Sequence, residues 1–304
     1  MKKNRLGKSD LYVSALGLGC MSLGTNEKQA QEIIETALEE GINYFDTADL
    51  YDFGENEKIV GKSLKPYRSQ IVLATKVGNR WNQDQSGWSW DPSKKYIKEA
   101  VKDSLRRLQT DYIDVYQLHG GTIEDNIEES IEAFEDLKSE GVIRYYGISS
   151  IRPNVIREYV DRSSIISIMM QYSLLDRRPE ELFPLLKEHQ ISVVTRGPVA
   201  KGLLTENWRN KLSVNGYLDY TSQELDQLLS GIKEKLTSNT RSMTELAIQF
   251  NLANEPVTSV VAGASSVKQL KANAKAANAT PLTQEEHTLL QSLSRNSLYK
   301  EHRN

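Results

Sequence analysis

Eight short, β-rich apolar runs alternate with amphipathic stretches along almost the whole chain, which confines it to repeated β-α units around a parallel sheet. The runs are LGLGC at 16–20, INYFD at 42–46, IVLATK at 71–76, YIDVYQL at 112–118, IRYYGI at 143–148, IISIMMQ at 165–171, ISVVT at 191–195 and TSVVA at 258–262. Eight parallel strands close a barrel, so the predicted fold is α/β, a (β/α)8 TIM barrel. Between the runs, Ile33, Ile34, Ala37 and Leu38 share one helix face, and Ile97, Val101, Leu105 and Leu108 mark another. Gly41 and Gly141 follow two of these helices, where a left-handed C-cap is needed. Ahead of the first run, NRLGKSDLYVSALG predicts two short strands around a Lys8-Ser9-Asp10 turn, a β-hairpin closing the bottom of the barrel. No Pro/Gly/Ser-rich linker divides the chain, and the one long interruption, roughly 205–240, lies between runs seven and eight. Residues 1–304 are therefore expected to form a single barrel domain.

Composition excludes several classes of function. Hydrophobic residues at 38% and charged residues at 26% are ordinary for a soluble globular protein. No apolar stretch approaches the roughly 20 residues that span a bilayer, and the basic start MKKNRLGKSDLYVS lacks the apolar run of a signal peptide. The single cysteine, Cys20, rules out an intramolecular disulfide and fits a reducing cytoplasm. A net charge of −3 gives no broad attraction to nucleic acid or anionic lipid. His119, His189, His287 and His302 are scattered without ligand spacing, so no metal is expected. GISSI and GASSV do not satisfy the nucleophile-elbow pattern of serine hydrolases. The sequence leaves oligomeric state open between monomer and weak oligomer.

Asp46 and Lys76 end two of the predicted strands and His119 follows a third, with Tyr51 just beyond Asp46. Strand ends converge at one mouth of a parallel barrel, so these distant residues become neighbours around one pocket. A carboxylate at the end of a buried strand needs a partner, because desolvating it alone costs several kcal/mol. Lys76 is the natural one. Its ammonium, held near Tyr51, favours phenolate and makes that tyrosine a proton donor. His119 is placed to donate a hydrogen bond to an oxygen that gains negative charge. Singly, each residue also fits a structural role; the set at one mouth is what points to an enzyme.

The segments GINYFDTADLY, ATKVG, LRRLQTDYIDVYQLH and GISS, in that order, resemble the successive signatures of the aldo-keto reductase family. The resemblance covers essentially the whole chain and places the family's catalytic tetrad on Asp46, Tyr51, Lys76 and His119. It implies a nicotinamide cofactor held in extended form at the mouth without a Rossmann domain, in line with Gly17, Gly19 and Gly24 failing to make G-x-G-x-x-G. The family's phosphate-site segment is similar to VAGASSVKQLKAN at 261–273, which implies cofactor contacts from Gly263, Ser265, Gln269 and Asn273. Ser149 and Gln171 match the carboxamide contacts. Gly19, Cys20 and Met21 after the first run, and Arg196, Gly197, Pro198, Gly202 and Leu203 in TRGPVAKGLL, complete the expected cofactor set with Asp46. Three positions depart from the family pattern. Ser150 stands where asparagine is common, and Arg196 where many members stack an aromatic ring. Ser266 occupies the place of a frequent basic residue, with Lys268 two further on. NADPH is favoured over NADH.

The segment NRWNQDQSGWSWD at 79–91 holds three of the four tryptophans. Flat aromatic walls suit an apolar carbonyl compound, which places Trp81 and Trp88 with Met21, Tyr51 and His119 around the substrate; packing of the tryptophans against neighbouring loops is an equal alternative. The function expected is NADPH-dependent reduction of aldehydes or ketones to alcohols, with Tyr51 as proton donor. The alternative is a nicotinamide-sensing regulatory subunit with little turnover. A Schiff-base role for Lys76 is disfavoured because its acidic neighbour keeps the amine charged.

Overall fold

The computed structural model describes residues 1–82, 84–237 and 241–303. The elements run β1 (Lys3–Arg5), β2 (Tyr12–Ser14), β3 (Leu16–Gly19), α1 (Glu27–Glu39), β4 (Tyr44–Asp46), α2 (Glu55–Leu64) and β5 (Val72–Val77). There follow β6 (Asn79–Trp81), β7 (Trp88–Trp90), α3 (Lys94–Leu108), β8 (Ile113–Leu118), α4 (Ile127–Ser139), β9 (Ile143–Ser149), α5 (Pro153–Arg162) and β10 (Ser167–Gln171). The chain ends through α6 (Phe183–Glu188), β11 (Ser192–Arg196), α7 (Ser222–Leu236), α8 (Met243–Leu252), β12 (Val257–Gly263), α9 (Val267–Ala277) and α10 (Gln284–Leu293). β3, β4, β5, β8, β9, β10, β11 and β12 pair in that order, and β12 pairs back onto β3 to close a parallel barrel. This is the (β/α)8 TIM barrel, and each of its strands overlaps one of the eight runs seen in the sequence.

Period-two alternation sorts the strand residues into two cores. Leu18, Phe45, Leu73, Tyr116, Ile148, Ile168 and Val193 face outward and pack under the helices. Tyr44, Val72, Ala74, Val115, Met169, Val194 and Val261 face inward and fill the barrel. Two residues further along each strand, the same inward phase reaches the mouth, where the apolar filling gives way to Asp46, Lys76, Gln117, Gln171, Arg196 and Gly263. One rule of alternation therefore makes both the barrel filling and the floor of the site.

At the opposite end, β1 and β2 form the predicted antiparallel hairpin, and Leu6, Leu11 and Val13 join the inner cluster as a plug. Its turn is tied by Leu6 N–H donating to the Leu11 carbonyl at 2.9 Å. Gly41 (φ 80°) and Gly141 (φ 74°) adopt the left-handed conformation expected after α1 and α4. Two features were not anticipated: β6 and β7 make a separate two-stranded ribbon after β5, and the stretch after α10 returns to the barrel mouth. There Asn154 N–H donates to the His302 carbonyl at 2.8 Å, and Arg295 N–H to the Tyr220 hydroxyl at 2.6 Å. Gln83, within the tryptophan-rich 79–91 segment, and 238–240, at the end of the long interruption, lie outside the described residues.

Candidate active site

Lys76 is the hub of the mouth. Its ammonium donates to Asp46 Oδ2 at 2.6 Å, to the Thr47 carbonyl at 2.7 Å and to the Tyr51 hydroxyl at 3.3 Å. Three acceptors satisfy all three protons, which is what a lysine only 1% exposed requires. Asp46 uses its other oxygen to accept from the Gln117 side-chain amide at 3.3 Å. Gln117 was absent from the residues singled out in the sequence. The signal was there, since Gln117 lies two residues before His119 and in the same inward phase of β8. The loop leaving β4 is fixed underneath by Thr47, which donates to Asn56 Oδ1 at 2.7 Å while the Asn56 amide donates to the Cys20 carbonyl at 2.8 Å.

His119 stands edge-on to Tyr51, with ring centroids 6.0 Å apart and planes at 87°. Its carbonyl accepts from Asn79 Nδ2 at 2.9 Å, and its buried Nδ1 has no partner among the described residues. Burial, reinforced by the positive charges of Lys76 and Arg196, pulls the imidazole pKa down to about 3. His119 is therefore neutral at any working pH and carries a single N–H. Burial pulls Lys76 downward too, but the carboxylate of Asp46 and the contact with Tyr51 outweigh it and leave its pKa raised. The same burial pushes Asp46 upward against the pull of Lys76. Cys20 is fully buried in the outer core, its thiol pushed far up by burial, so it neither faces the mouth nor acts as a nucleophile.

Above this cluster opens a cavity of about 800 Å³ whose lining includes Met21, Tyr51, Lys76, His119, Ser149 and Arg196. Ser150 also lines it and holds the turn into α5, its hydroxyl accepting from Arg152 N–H at 3.3 Å. The far wall is made by segments not singled out in the sequence: Arg178, Tyr220, Leu298 and Tyr299. Arg178 pairs with Asp176 at 2.7 Å and lies over the Tyr299 ring at 4.9 Å. Residues 294–303 lack the periodicity of a helix or strand, so no sequence pattern announced this wall. Trp81 and Trp88 stand off the cavity. Trp81 packs against Phe53 and Arg107, and Trp88 is more than half exposed on β7.

The expected cofactor residues fall into two groups around the mouth. At the end of β10, the Gln171 side chain accepts from Arg196 Nη1 at 3.0 Å and donates to Asp176 and to the Tyr217 hydroxyl, each at 3.2 Å. Gly197 and Gly202, both at positive φ, shape the loop that carries Pro198 and Leu203. Gly19 and Gly263 are paired across β3 and β12. A Cβ on Gly263 would lie 2.2 Å from Ser22 Oγ, so a side chain there would push that hydroxyl aside. Beyond it, Gln269 and Asn273 lie four residues apart on one face of α9, with Ser265 just ahead of the Ser266 cap. Ser265 donates from its N–H to Gln269 Oε1 at 3.0 Å, and Asn273 Nδ2 to the Gly263 carbonyl at 3.2 Å. Ser266 caps the helix, whose first turn holds no acidic residue. A phosphate-bearing dinucleotide fits this donor set: a helix N-terminus without acidic side chains at one end, amide and hydroxyl side chains at the other. Among the described residues, no group of three or more His, Cys, Asp or Glu could hold a metal ion.

A parallel barrel with a buried Lys–Asp pair, a tyrosine and a neutral histidine at its mouth defines a barrel oxidoreductase. The family model for the Aldo/keto reductase family matches residues 15–295. The chain is 61% identical, over the full length of both, to the uncharacterized oxidoreductase YqkF of Bacillus subtilis. It is 32% identical to the NADH-specific methylglyoxal reductase of Escherichia coli, over 91% of this chain and 94% of that one. The holo form of the aldo-keto reductase AKR11C1 from Bacillus halodurans superposes with a TM-score of 0.96 at 62% identity, covering all of both chains. The chain belongs to the aldo-keto reductase family and is an NAD(P)H-dependent oxidoreductase acting on carbonyl groups. Among the described residues, no helix is long and apolar enough to cross a membrane.

Proposed function

We propose that this protein reduces aldehydes or ketones to alcohols with NADPH, and that Tyr51 delivers the proton. The observation that carries the reading is the single ammonium of Lys76 bonded to both Asp46 and Tyr51, at 2.6 and 3.3 Å. A bound nicotinamide dinucleotide supplies the hydride. Ser149 and Gln171 hold its carboxamide end, and Ser265, Gln269 and Asn273 its adenosine end. The substrate carbonyl lies in the cavity with its oxygen toward Tyr51 and His119. The neutral imidazole donates its one N–H to that oxygen and orients it without competing for the proton. Tyr51 Oη transfers its proton to the same oxygen, and the Lys76 ammonium stabilises the negative charge left on the phenol oxygen. Asp46, held in turn by Gln117, keeps Lys76 protonated throughout.

The preference for NADPH rests on the mouth of α9. Its first turn is free of acidic residues, and Lys268 is exposed there, suited to an additional phosphate. A Schiff base on Lys76 is disfavoured by the raised pKa of its amine. The test is steady-state oxidation of NADPH and of NADH with a panel of uncharged aldehydes and ketones, in the wild type and in Tyr51→Phe. Turnover with NADPH that vanishes in the variant supports the reading. NADPH binding without turnover on any carbonyl would favour a regulatory subunit instead.

A further inference from the structure

We propose that Trp81, backed by Arg107 and Glu57, is a positioning residue for Tyr51, holding in place the strained turn that carries the tyrosine. The proposal rests on the reading of Tyr51 as proton donor.

The chain leaving Tyr51 passes through three consecutive left-handed residues: Asp52 (φ 49°, ψ 37°), Phe53 (φ 52°, ψ 42°) and Gly54 (φ 86°, ψ −9°). Glycine takes this conformation freely, and aspartate tolerates it. For the bulky ring of Phe53 it is an outlier, and such a residue persists only where its surroundings hold it. A turn built this way has no local preference for the geometry that aims Tyr51 at Lys76. Its own backbone bonds, such as Phe53 N–H to the Leu50 carbonyl at 3.3 Å, leave the Phe53 side chain to be held by packing from outside the turn.

Trp81 supplies that restraint from β6. Its ring meets the Phe53 ring edge-on, with centroids 6.4 Å apart and planes at 71°. It also closes over Gly54, where a Cβ would lie 2.9 Å from Trp81 Cη2 and 2.8 Å from Arg107 Cδ. The Arg107 guanidinium lies over the Trp81 ring at 5.2 Å. Behind it, Arg107 binds the fully buried Glu57 through Nη2 at 2.6 Å and Nε at 2.7 Å. The second oxygen of Glu57 accepts from Thr75 Oγ1 at 2.6 Å. Thr75 immediately precedes Lys76. One unbroken line of contacts therefore runs from the turn holding Tyr51 to the strand holding its hydrogen-bond partner; Trp81 and Arg107 both close over Gly54, and Trp81 also meets the Phe53 ring.

Trp81 belongs to a two-stranded ribbon that, among the described residues, is separate from the barrel sheet, so removing its ring leaves the barrel ladders intact. That makes the proposal testable by a double-mutant cycle on the full chain. Trp81→Ala, Trp81→Phe and Trp81→Leu are made in the wild-type and Tyr51→Phe backgrounds, with kcat, KM, NADPH affinity and melting temperature recorded for each. The expected result is that Trp81→Ala lowers kcat by about 10- to 100-fold, as an ångström-scale misplacement does, with KM and NADPH affinity little changed. Trp81→Phe, which keeps an aromatic edge, restores most of the rate. In the Tyr51→Phe background the Trp81 effect disappears, because the group it positions no longer reacts. A wild-type kcat in Trp81→Ala, or an equal loss in both backgrounds, overturns the proposal. Should Trp81→Ala be unfolded at the assay temperature, Trp81→Leu carries the same cycle and the same two overturning results. Full turnover in Tyr51→Phe alone would instead remove the proton-donor reading beneath it.

Discussion

Lys76 and Tyr51 meet at 3.3 Å although 25 residues separate them in the chain. The meeting is a product of the barrel: Lys76 lies near the end of β5, Tyr51 follows β4, and the two strands are neighbours in register, with Asp46 beside Ala74. Nothing local to either segment would bring them together.

Loss of the tyrosine hydroxyl should therefore separate chemistry from binding. Tyr51→Phe keeps the ring against His119 and leaves the α9 end of the mouth untouched. Its kcat should fall by about 10²- to 10⁴-fold, the usual contribution of a placed proton donor. NADPH affinity, read by quenching of protein fluorescence, should stay near the wild-type value. A variant that turns over at the wild-type rate would take Tyr51 out of the mechanism.

Asp46→Asn should reach further, into stability. It leaves the Lys76 ammonium buried without a compensating charge, and breaking a buried pair from one side costs about 3–5 kcal/mol. The midpoint of urea unfolding should drop accordingly, with activity lost as well. The double variant Asp46→Leu with Lys76→Met removes both charges. It should recover much of the stability and none of the activity. Equal instability of the single and double variants would argue against the pair as the origin of the cost.

The barrel, and the clustering of Asp46 and Lys76 at its mouth, were legible in the sequence for one physical reason: buried parallel strands must be apolar runs, so a charged residue at the end of such a run is conspicuous. Tyr51 and His119 were found by their place just beyond such runs, and the hairpin that plugs the bottom with Leu6 and Leu11 by the polar Lys8-Ser9-Asp10 turn between two short strands. Gln117 was not, because an amide inside the run YIDVYQLH carries no charge to mark it. The wall made by Tyr220, Leu298 and Tyr299 was hidden for a different reason. These residues sit on irregular segments whose path is set by long-range bonds such as Lys300 to Asp219 at 3.0 Å, which leave no periodic trace. Three clustered tryptophans left a substrate wall and loop packing equally open, and the fold gives Trp81 to packing against the turn behind Tyr51.

His119 should leave a signature in the pH dependence of stability. Its folded pKa of about 3 lies below the ordinary histidine value of 6.5, so between those limits the unfolded chain binds a proton that the folded chain refuses. Stability is then unaffected above about pH 6.5 and declines as pH falls toward 3, with a slope approaching about 1.4 kcal/mol per pH unit. His119→Asn removes this term, so the gap between variant and wild type should narrow or invert on going from pH 7 to pH 4. Parallel unfolding curves at each pH check it. A gap that stays constant would mean that His119 takes up a proton as readily folded as unfolded. By the same argument, kcat/KM for a neutral aldehyde should show no limb near pH 6.5 attributable to this imidazole.

Cofactor choice should turn on Lys268. It is exposed in the first turn of α9, close to Ser265 and Gln269 along the chain, and no acidic side chain shares that turn. An exposed ammonium facing a phosphate in water is worth about 1 kcal/mol or less, or roughly fivefold in affinity. Lys268→Ala should thus weaken NADPH by up to about fivefold and leave NADH unchanged, and Lys268→Glu should weaken NADPH further by adding repulsion. Raising the salt concentration should erode the proposed preference for NADPH in the same direction, since screening acts on exposed charges first. Fluorescence titrations of both dinucleotides at low and high salt give all four numbers. If Lys268→Ala weakens NADPH and NADH alike, Lys268 serves the phosphates common to both, and the preference must come from elsewhere at the mouth.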